Sequence, residues 1–585
     1  MDAPWSLTSL YQSFDDNAFK ADVKQCDELI VEYEQLSQTL LASKNLSTHI
    51  ADYLHLQQKL NAHFEKLFAY CSLTLSANTQ DEHALQALHV LQEKANRLTV
   101  AQITIQEFLG NISDYSTFSE EIITEHLFFL QDLATYNPYL LDAKTEELIA
   151  NLSLTGSTAF ARLRETLTSK KTMSFNGKLL HLPAIRNLLR HSDASIRKLA
   201  FETEIKAYQE MEDSLAACLS GIKGEVLMLS NLRGYESVLQ ETLLSARLSH
   251  DTLTAMMGSI EDCLPQFQAF LKLKATALGY DEALPFYDLY APLGTASKTY
   301  SYEEACSLVT TVFNSFSFEL GHYAKHAIDS QWIDVYPRPN KVGGAFCQTI
   351  HAIKESRFLL NYGETFNDVS TLAHELGHGF HGQCLANGSS LNATYPMPLA
   401  ETASIFCETL LQKYMQHHSD ETDLRLMLER SLTDATQLIV DIYARFLFEQ
   451  QLFEARKSGP LTAKELCELM LDAQKKAYGD AIQPSTFHPY MWANKPHYYS
   501  AGMNYYNYPY AFGLLLSKGL YARYQEAPST FPLSYKQFLS LSGSETIENV
   551  AKSIDIDLSS LSFWQHALQT IIEDIDLFKK LVKTP

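Results

Sequence analysis

At 585 residues the chain has room for roughly three or four domains of ordinary size, and 46% hydrophobic with 20% charged residues are globular proportions that exclude a disordered chain. A formal charge of −23 repels polyanions, so neither nucleic acid nor an anionic membrane surface is expected as a partner. The nine cysteines form no CxxC pair, the opening Met1–Ser6 has no basic segment leading into an apolar one, and no apolar run approaches the roughly 18 residues that span a bilayer. The expectation is a cytoplasmic chain with reduced, mostly buried thiols, whose sequons such as Asn45-Leu46-Ser47 carry no glycan.

The first 150 residues hold one glycine, Gly110, and two prolines, Pro4 and Pro138, too little punctuation for strands and tight turns. Ala84, Leu88, Leu91, Ala95, Leu98, Ile105 and Leu109 recur at helical steps with one polar slip at Gln102, and Thr79-x-x-Glu82 before them reads as a capping box. Residues 1–120 are therefore expected as a lobe of long antiparallel helices. A connecting helical and hairpin segment follows over 121–190, where Met173-Ser174-Phe175 and Lys178-Leu179-Leu180 flank Asn176-Gly177, a tight-turn pair, and Pro183 suits the first position of a helix. Residues 191–585 are expected as the catalytic domain. Helical spacing runs from about 190 to 275. Prolines and glycines crowd 285–365, where Arg357–Tyr362 reads as a short strand of a small sheet. Helices resume at 366, with breaks near 387–398 and 477–502. The predicted class is mainly α.

His374 and His378 stand four apart in His374-Glu375-Leu376-Gly377-His378, so on a helix both imidazoles share one face and can reach one ion. Glu375 lies off that face, placed to hold a water and take its proton. Zinc with three protein ligands keeps a fourth position for water and lowers its pKa toward about 7, after which a carboxylate can act as general base. A helix start at Asp368 or Ser370 supports the helical setting. A chain of this composition produces such a pentapeptide by chance about 4% of the time, so the third ligand decides. The metzincin layout needs His and Gly where this chain has Cys384 and His381, and the inverted HxxEH is absent. The remaining layout takes a glutamate from a second helix, and Glu401 lies 23 residues past His378, just after Pro396 and Pro398, in a stretch Leu399–Lys413 that reads as a helix. Glu408, two turns further on the same face, is either an exposed carboxylate or a partner that orients a histidine. His381 is either a packed or supporting histidine or a fourth ligand that would close the site.

Seven tyrosines, Tyr490, Tyr498, Tyr499, Tyr505, Tyr506, Tyr508 and Tyr510, crowd residues 490–510. They are either aromatic packing or, with His497, hydrogen-bond donors to a tetrahedral oxyanion on a loop hinged at Gly502.

These segments together resemble the oligoendopeptidase F branch of the thimet-oligopeptidase-like zinc metallopeptidases. The blocks that carry the resemblance are Pro337-Arg338 through Lys341, Gly344-Ala345-Phe346, Asn361-Tyr362-Gly363, His374 through His381, Glu401 through Glu408, Pro496-His497-Tyr498-Tyr499 and Tyr505-Tyr506-Asn507-Tyr508. The resemblance implies two helical lobes around a deep channel and one zinc ion held by His374, His378 and Glu401. Glu375 would be the base, and internal bonds of short peptides the substrate, as in peptide catabolism. It further implies that the strand near 356–362 pairs with substrate backbone, that Gly344, Asn361 and Tyr498 contact substrate, and that His497, Tyr505 and Tyr508 bind substrate or the oxyanion. Two departures stand out. Lys495 occupies a position where relatives usually carry a branched apolar residue, and the spacing from His497 to the tyrosines differs by one from the thimet branch, which leaves the oxyanion donor open. A helical zinc exopeptidase and a peptide-binding protein with inert zinc are the competing readings; the Gly-Ala-Met-Glu-Asn segment of one large aminopeptidase group is absent.

Overall fold

The computed structural model describes residues 4–40, 45–112, 114–294 and 298–583. Met1–Ala3, at the head of the segment read for a secretory leader, lie outside them. The class is mainly α with two small sheets, as expected. Two compact units each draw on three stretches: Met1–Pro138, Lys298–Tyr414 and Arg523–Ile556 form the first, and Tyr139–Ser297, Met415–Ala522 and Asp557–Pro585 the second.

The first unit opens with helices Asn17–Leu40, Leu46–Ala77, Glu82–Arg97 and Thr99–Gly110. Ala84, Leu91, Leu98, Ile105 and Leu109 of the expected stripe are buried. The stripe is not one helix, however. It breaks at Leu98, and beyond the break Ala101 is buried while Gln102 faces solvent. The capping box expected at Thr79 is also displaced. Asp81 precedes the first helical residue and its carboxylate accepts the Ala84 N–H at 2.9 Å, the usual N-cap geometry, while the Thr79 N–H is committed to the Asn340 carbonyl at 2.8 Å.

In the second unit strands β1 (Thr172–Phe175) and β2 (Lys178–His181) form the expected hairpin, with Asn176 and Gly177 at φ 49° and 78°. Pro183 enters the helix Leu182–Asn187 one position later than expected. Helices Ala194–Gln209, Glu212–Arg233, Val238–Ser245 and His250–Ala277 fill the region of helical spacing. Among the described residues Glu212–Arg233 alone has the length and mean hydropathy of a membrane span. Lys223 and Glu225 interrupt its apolar run, and Leu215, Leu219 and Ile222 sit in a core with Phe448, Leu452 and Trp492.

The second sheet lies in the first unit. Its strands β3 (Ile333–Asp334), β4 (Phe346–Ile350) and β5 (Glu355–Leu359) are ordered β3-β5-β4, with β5 parallel to β3 and antiparallel to β4. The strand expected at 357–362 thus starts and ends earlier, although the Leu360 and Tyr362 N–H groups still reach the Asp334 and Val335 carbonyls. Its implied role changes as well. β5 is flanked on both sides and has no edge left for a substrate; the terminal strands are the two-residue β3 and the longer β4. The Phe358 and Leu360 N–H groups point to the β3 side, so the alternation of an antiparallel ladder turns Glu355, Arg357 and Leu359 toward β4. Their partners Ile350, Gln348 and Phe346 face inward, which leaves the N–H and C=O of Cys347 and Thr349 pointing outward.

The helix Phe366–Leu385 lies on this sheet. It starts earlier than expected: Thr365 is the N-cap, and Asp368 is its reciprocal partner three residues on in a capping box. Leu399–Lys413 is not one helix but two, Met397–Ala400 and Thr402–Gln416, with Glu401 at the joint (φ −88°, ψ 0°).

Candidate active site

The joint places Glu401 against the Phe366–Leu385 helix. The contact needs a glycine: a Cβ on Gly377 would lie 2.7 Å from the Ala403 carbonyl oxygen and 2.8 Å from Ser404 Cα. At this approach three atoms converge. His374 Nε2 and His378 Nε2 are 3.2 Å apart, and Glu401 Oε2 is 3.4 Å from the first and 3.5 Å from the second. Ligand atoms on a tetrahedral zinc with bonds of about 2.0–2.1 Å sit about 3.3 Å from one another, so this donor set fits that ion and leaves a fourth position open. Among the described residues it is the single group of three or more metal-ligating side chains near enough to share an ion.

The supports of the ligands are also in place. His374 Nδ1 donates to Glu408 Oε1 at 2.5 Å, and Ser370 Oγ donates to the other Glu408 oxygen at 3.2 Å. Ser404 Oγ donates to Glu401 Oε2 at 3.0 Å. Burial pushes the His374 imidazolium down, but Glu401 and Glu408 outweigh it and hold its pKa up at about 10, so an entering metal displaces a proton. Burial likewise opposes the Glu401 carboxylate, and the two imidazoles win, holding it well below the usual range. Glu375 is 6% exposed; burial raises its pKa and the two histidines only partly offset this, which suits a carboxylate that must accept a proton. His381 stands apart from the ligands: it is fully buried, stacked on Tyr395 at 4.0 Å, and bonded through Nε2 to Ser542 Oγ at 2.7 Å. It is a packed histidine.

Asn361 and Gly344 meet in the loop ahead of β4, where Asn361 Nδ2 donates to the Val342 and Gly344 carbonyls at 3.0 and 2.8 Å. Asp334 anchors the same loop, accepting from Arg338 at 2.6 and 2.7 Å and from Lys341 at 2.7 Å. A cavity of about 540 Å³ beside β4 is lined by Phe64, Glu65, Thr349, His351 and Tyr395 among others.

The tyrosine segment belongs to the second unit. His497 lies in the turn Pro496–Tyr499 and accepts at Nε2 from Asn507 Nδ2 at 3.1 Å; Asn507 accepts from Arg445, which pairs with Asp441 at the end of the π-helical turn Gln437–Asp441. Burial, then Arg445 and Lys495, push the His497 pKa down to about 3, so its ring is neutral. Tyr505 takes φ 51° and its N–H donates to Glu449 Oε1 at 3.1 Å; Asn504 beside it accepts from Lys223 at 2.6 Å. Tyr498 packs on Phe448, and Tyr508 opens the helix Tyr508–Glu526; the hydroxyls of both are buried without a hydrogen-bond partner.

Residues 187–570 match the profile described as Peptidase family M3, and residues 116–172 that described as Oligopeptidase F. The chain belongs to peptidase family M3. Oligopeptidase PepF of Bacillus subtilis is 23% identical over 99% of this chain and 87% of its own length, and an oligoendopeptidase F homologue of Lactococcus lactis is 24% identical over 99% and 97%. A Chlamydophila abortus structure assigned as a peptidase superposes with a TM-score of 0.86 at 22% identity, covering 99% of this chain and 98% of that one. The Enterococcus faecium oligoendopeptidase-F structure gives 0.70 at 18%, covering 96% and 100%.

In this M3 peptidase the supporting roles of Ser370, Ser404 and Asp334 go beyond what the sequence predicts for the site. Ser370 and Ser404 carry no signal of their own, since a serine on a helix is unremarkable until its partner is placed. Asp334 had one: Arg338 and Lys341, four and seven residues on, are the cations it gathers.

Proposed function

We propose that this M3 peptidase is a zinc-dependent endopeptidase acting on short peptides. The observation that carries the reading is the convergence of His374, His378 and Glu401, at 3.2–3.5 Å from one another, beside the buried Glu375. Zinc held there would polarise the peptide carbonyl and acidify the attacking water. Glu375 takes the proton from that water and hands it to the leaving amine. Glu408 keeps the His374 ring turned so that Nε2 faces His378 Nε2 and Glu401 Oε2, with which it would hold the ion. The outer edge of β4 lays out the substrate through the main-chain groups of Cys347 and Thr349, a pairing that needs neither peptide terminus and so favours internal bonds. Donor roles for His497, Tyr505 and Tyr508 toward substrate are supported by the family resemblance and by the unpartnered Tyr508 hydroxyl. A cytoplasmic setting is supported by the nine unpaired cysteines.

A peptide capped at both ends tests the reading, with zinc content measured alongside. The wild type is expected to cut it and to stop on chelation. Glu375→Gln is expected to keep its zinc and lose about 10²-fold or more in kcat. Near-normal turnover by that variant would overturn the mechanism, and failure of the wild type to cut capped peptides would favour an exopeptidase.

A further inference from the structure

The cavity of about 540 Å³ beside β4 lies wholly within the first unit, the same unit that holds His374, His378 and Glu401. Gly382, four residues past His378 on the same helix, forms part of its wall. A Cβ there would lie 2.4 Å from Thr349 Oγ1, so the helix of the two histidines and β4 meet at the cavity. Tyr395, stacked on His381 at 4.0 Å, forms another part of the wall. Four residues of helix rise about 6 Å, and an extended peptide advances about 3.3 Å per residue. A side chain within two residues of a bond cleaved at the His374–Glu401 site is therefore within reach of the cavity.

The chemistry of the wall favours a cation. Glu65 is its one carboxylate, and among the described residues the lining holds no lysine or arginine. The two Glu65 oxygens accept the main-chain N–H groups of His351 at 2.9 Å and of Ala352 at 2.8 Å. Those bonds fix the carboxylate and leave each oxygen a further lone pair. The aromatic rings of Phe64 and Tyr395 in the same wall suit the planar guanidinium of an arginine. The net charge of −23 draws cationic peptides toward the chain. We propose that this cavity is a substrate subsite for a basic side chain, arginine above all, and that Glu65 is the specificity residue that pairs with it. The proposal rests on the peptidase reading of the His374–Glu401 site.

One peptide sequence, capped at both ends and cut at a single bond located by mass spectrometry, is prepared with arginine and with its neutral isostere citrulline at each of the two positions on either side of that bond. The wild type is expected to favour arginine over citrulline by about tenfold in kcat/KM at one of these positions, chiefly through KM. Glu65→Gln is expected to bring that ratio to within about twofold. A change that merely loosens the turn at His351 would slow both peptides alike and leave the ratio where it was. Should Glu65→Gln fail to fold, Asn61→Lys sets an ammonium four residues away on the same helix, in the same lining, and is likewise expected to cancel the preference. Equal cutting of the arginine and citrulline peptides by the wild type at every position, or a preference that survives in Glu65→Gln or Asn61→Lys, overturns the assignment of Glu65 and leaves the peptidase reading standing. A zinc-loaded wild type that cuts none of the peptides overturns that reading and the assignment with it.

Discussion

Glu408 shows how far a single residue could be read in advance. Its spacing of seven from Glu401 put it on the ligand face but allowed either an exposed carboxylate or a histidine partner. The structure gives it His374 Nδ1 on one oxygen and Ser370 on the other. A neutral amide would still accept the Nδ1 hydrogen but would not stabilise the ring as a ligand, so Glu408→Gln is expected to weaken zinc affinity by about 10- to 100-fold with the fold intact. Competition against a chromophoric chelator measures it, and an unchanged affinity would show that Glu408 plays no such part. His374, His378, Glu375 and Glu401 were legible because ligand chemistry imposes a spacing on the sequence. Ser404 imposes none, and its bond to Glu401 appears only once the chain turns at the joint.

Among the elements, existence was easier to read than arrangement. Asn176-Gly177 announces its hairpin because two successive positive φ angles leave few other residues able to stand there. The order β3-β5-β4 left no such mark. β5 reads as a strand from its own residues, but whether it is central or at an edge is decided by residues 333–334 and 346–350. The helix starts at Asp81 and Thr365 lie a few residues from the expected ones because several capping residues lie close together and backbone competition selects among them. The packing of the Phe366–Leu385 helix against the Glu401 joint yields a sharp expectation. Gly377→Ala sets a methyl group against main-chain atoms that no rotamer change can move. It is expected to cost about 1–3 kcal/mol of stability and, by pushing Glu401 away from the histidines, to reduce bound zinc. Thermal melting and metal analysis check both, and a fully loaded, unshifted variant would mean that the joint yields without strain.

For the whole molecule, the buried histidines set an acid limit. Burial holds His381 at about 3 against an ordinary value of 6.5. Between those values the unfolded chain binds a proton that the folded chain does not, so stability must fall as pH drops from about 6.5 toward 3, by up to roughly 4 kcal/mol for this one ring. Melting temperature against pH is expected to slope less steeply in His381→Gln than in the wild type, and equal slopes would refute the assignment. That each unit recruits three separate stretches was beyond a linear reading, because local periodicity says nothing of which distant segment returns to pack.

The joint at Glu401 has a further consequence. His378 and Glu401 are 23 positions apart, on segments joined by the irregular stretch 386–396. An ion bound to both would act as a cross-link, closing a loop that the unfolded chain must otherwise close at an entropic cost of about 3 kcal/mol. The metal then belongs to the folding equilibrium as much as to the chemistry, and a chain that loses it surrenders part of the order that holds its own ligands in place.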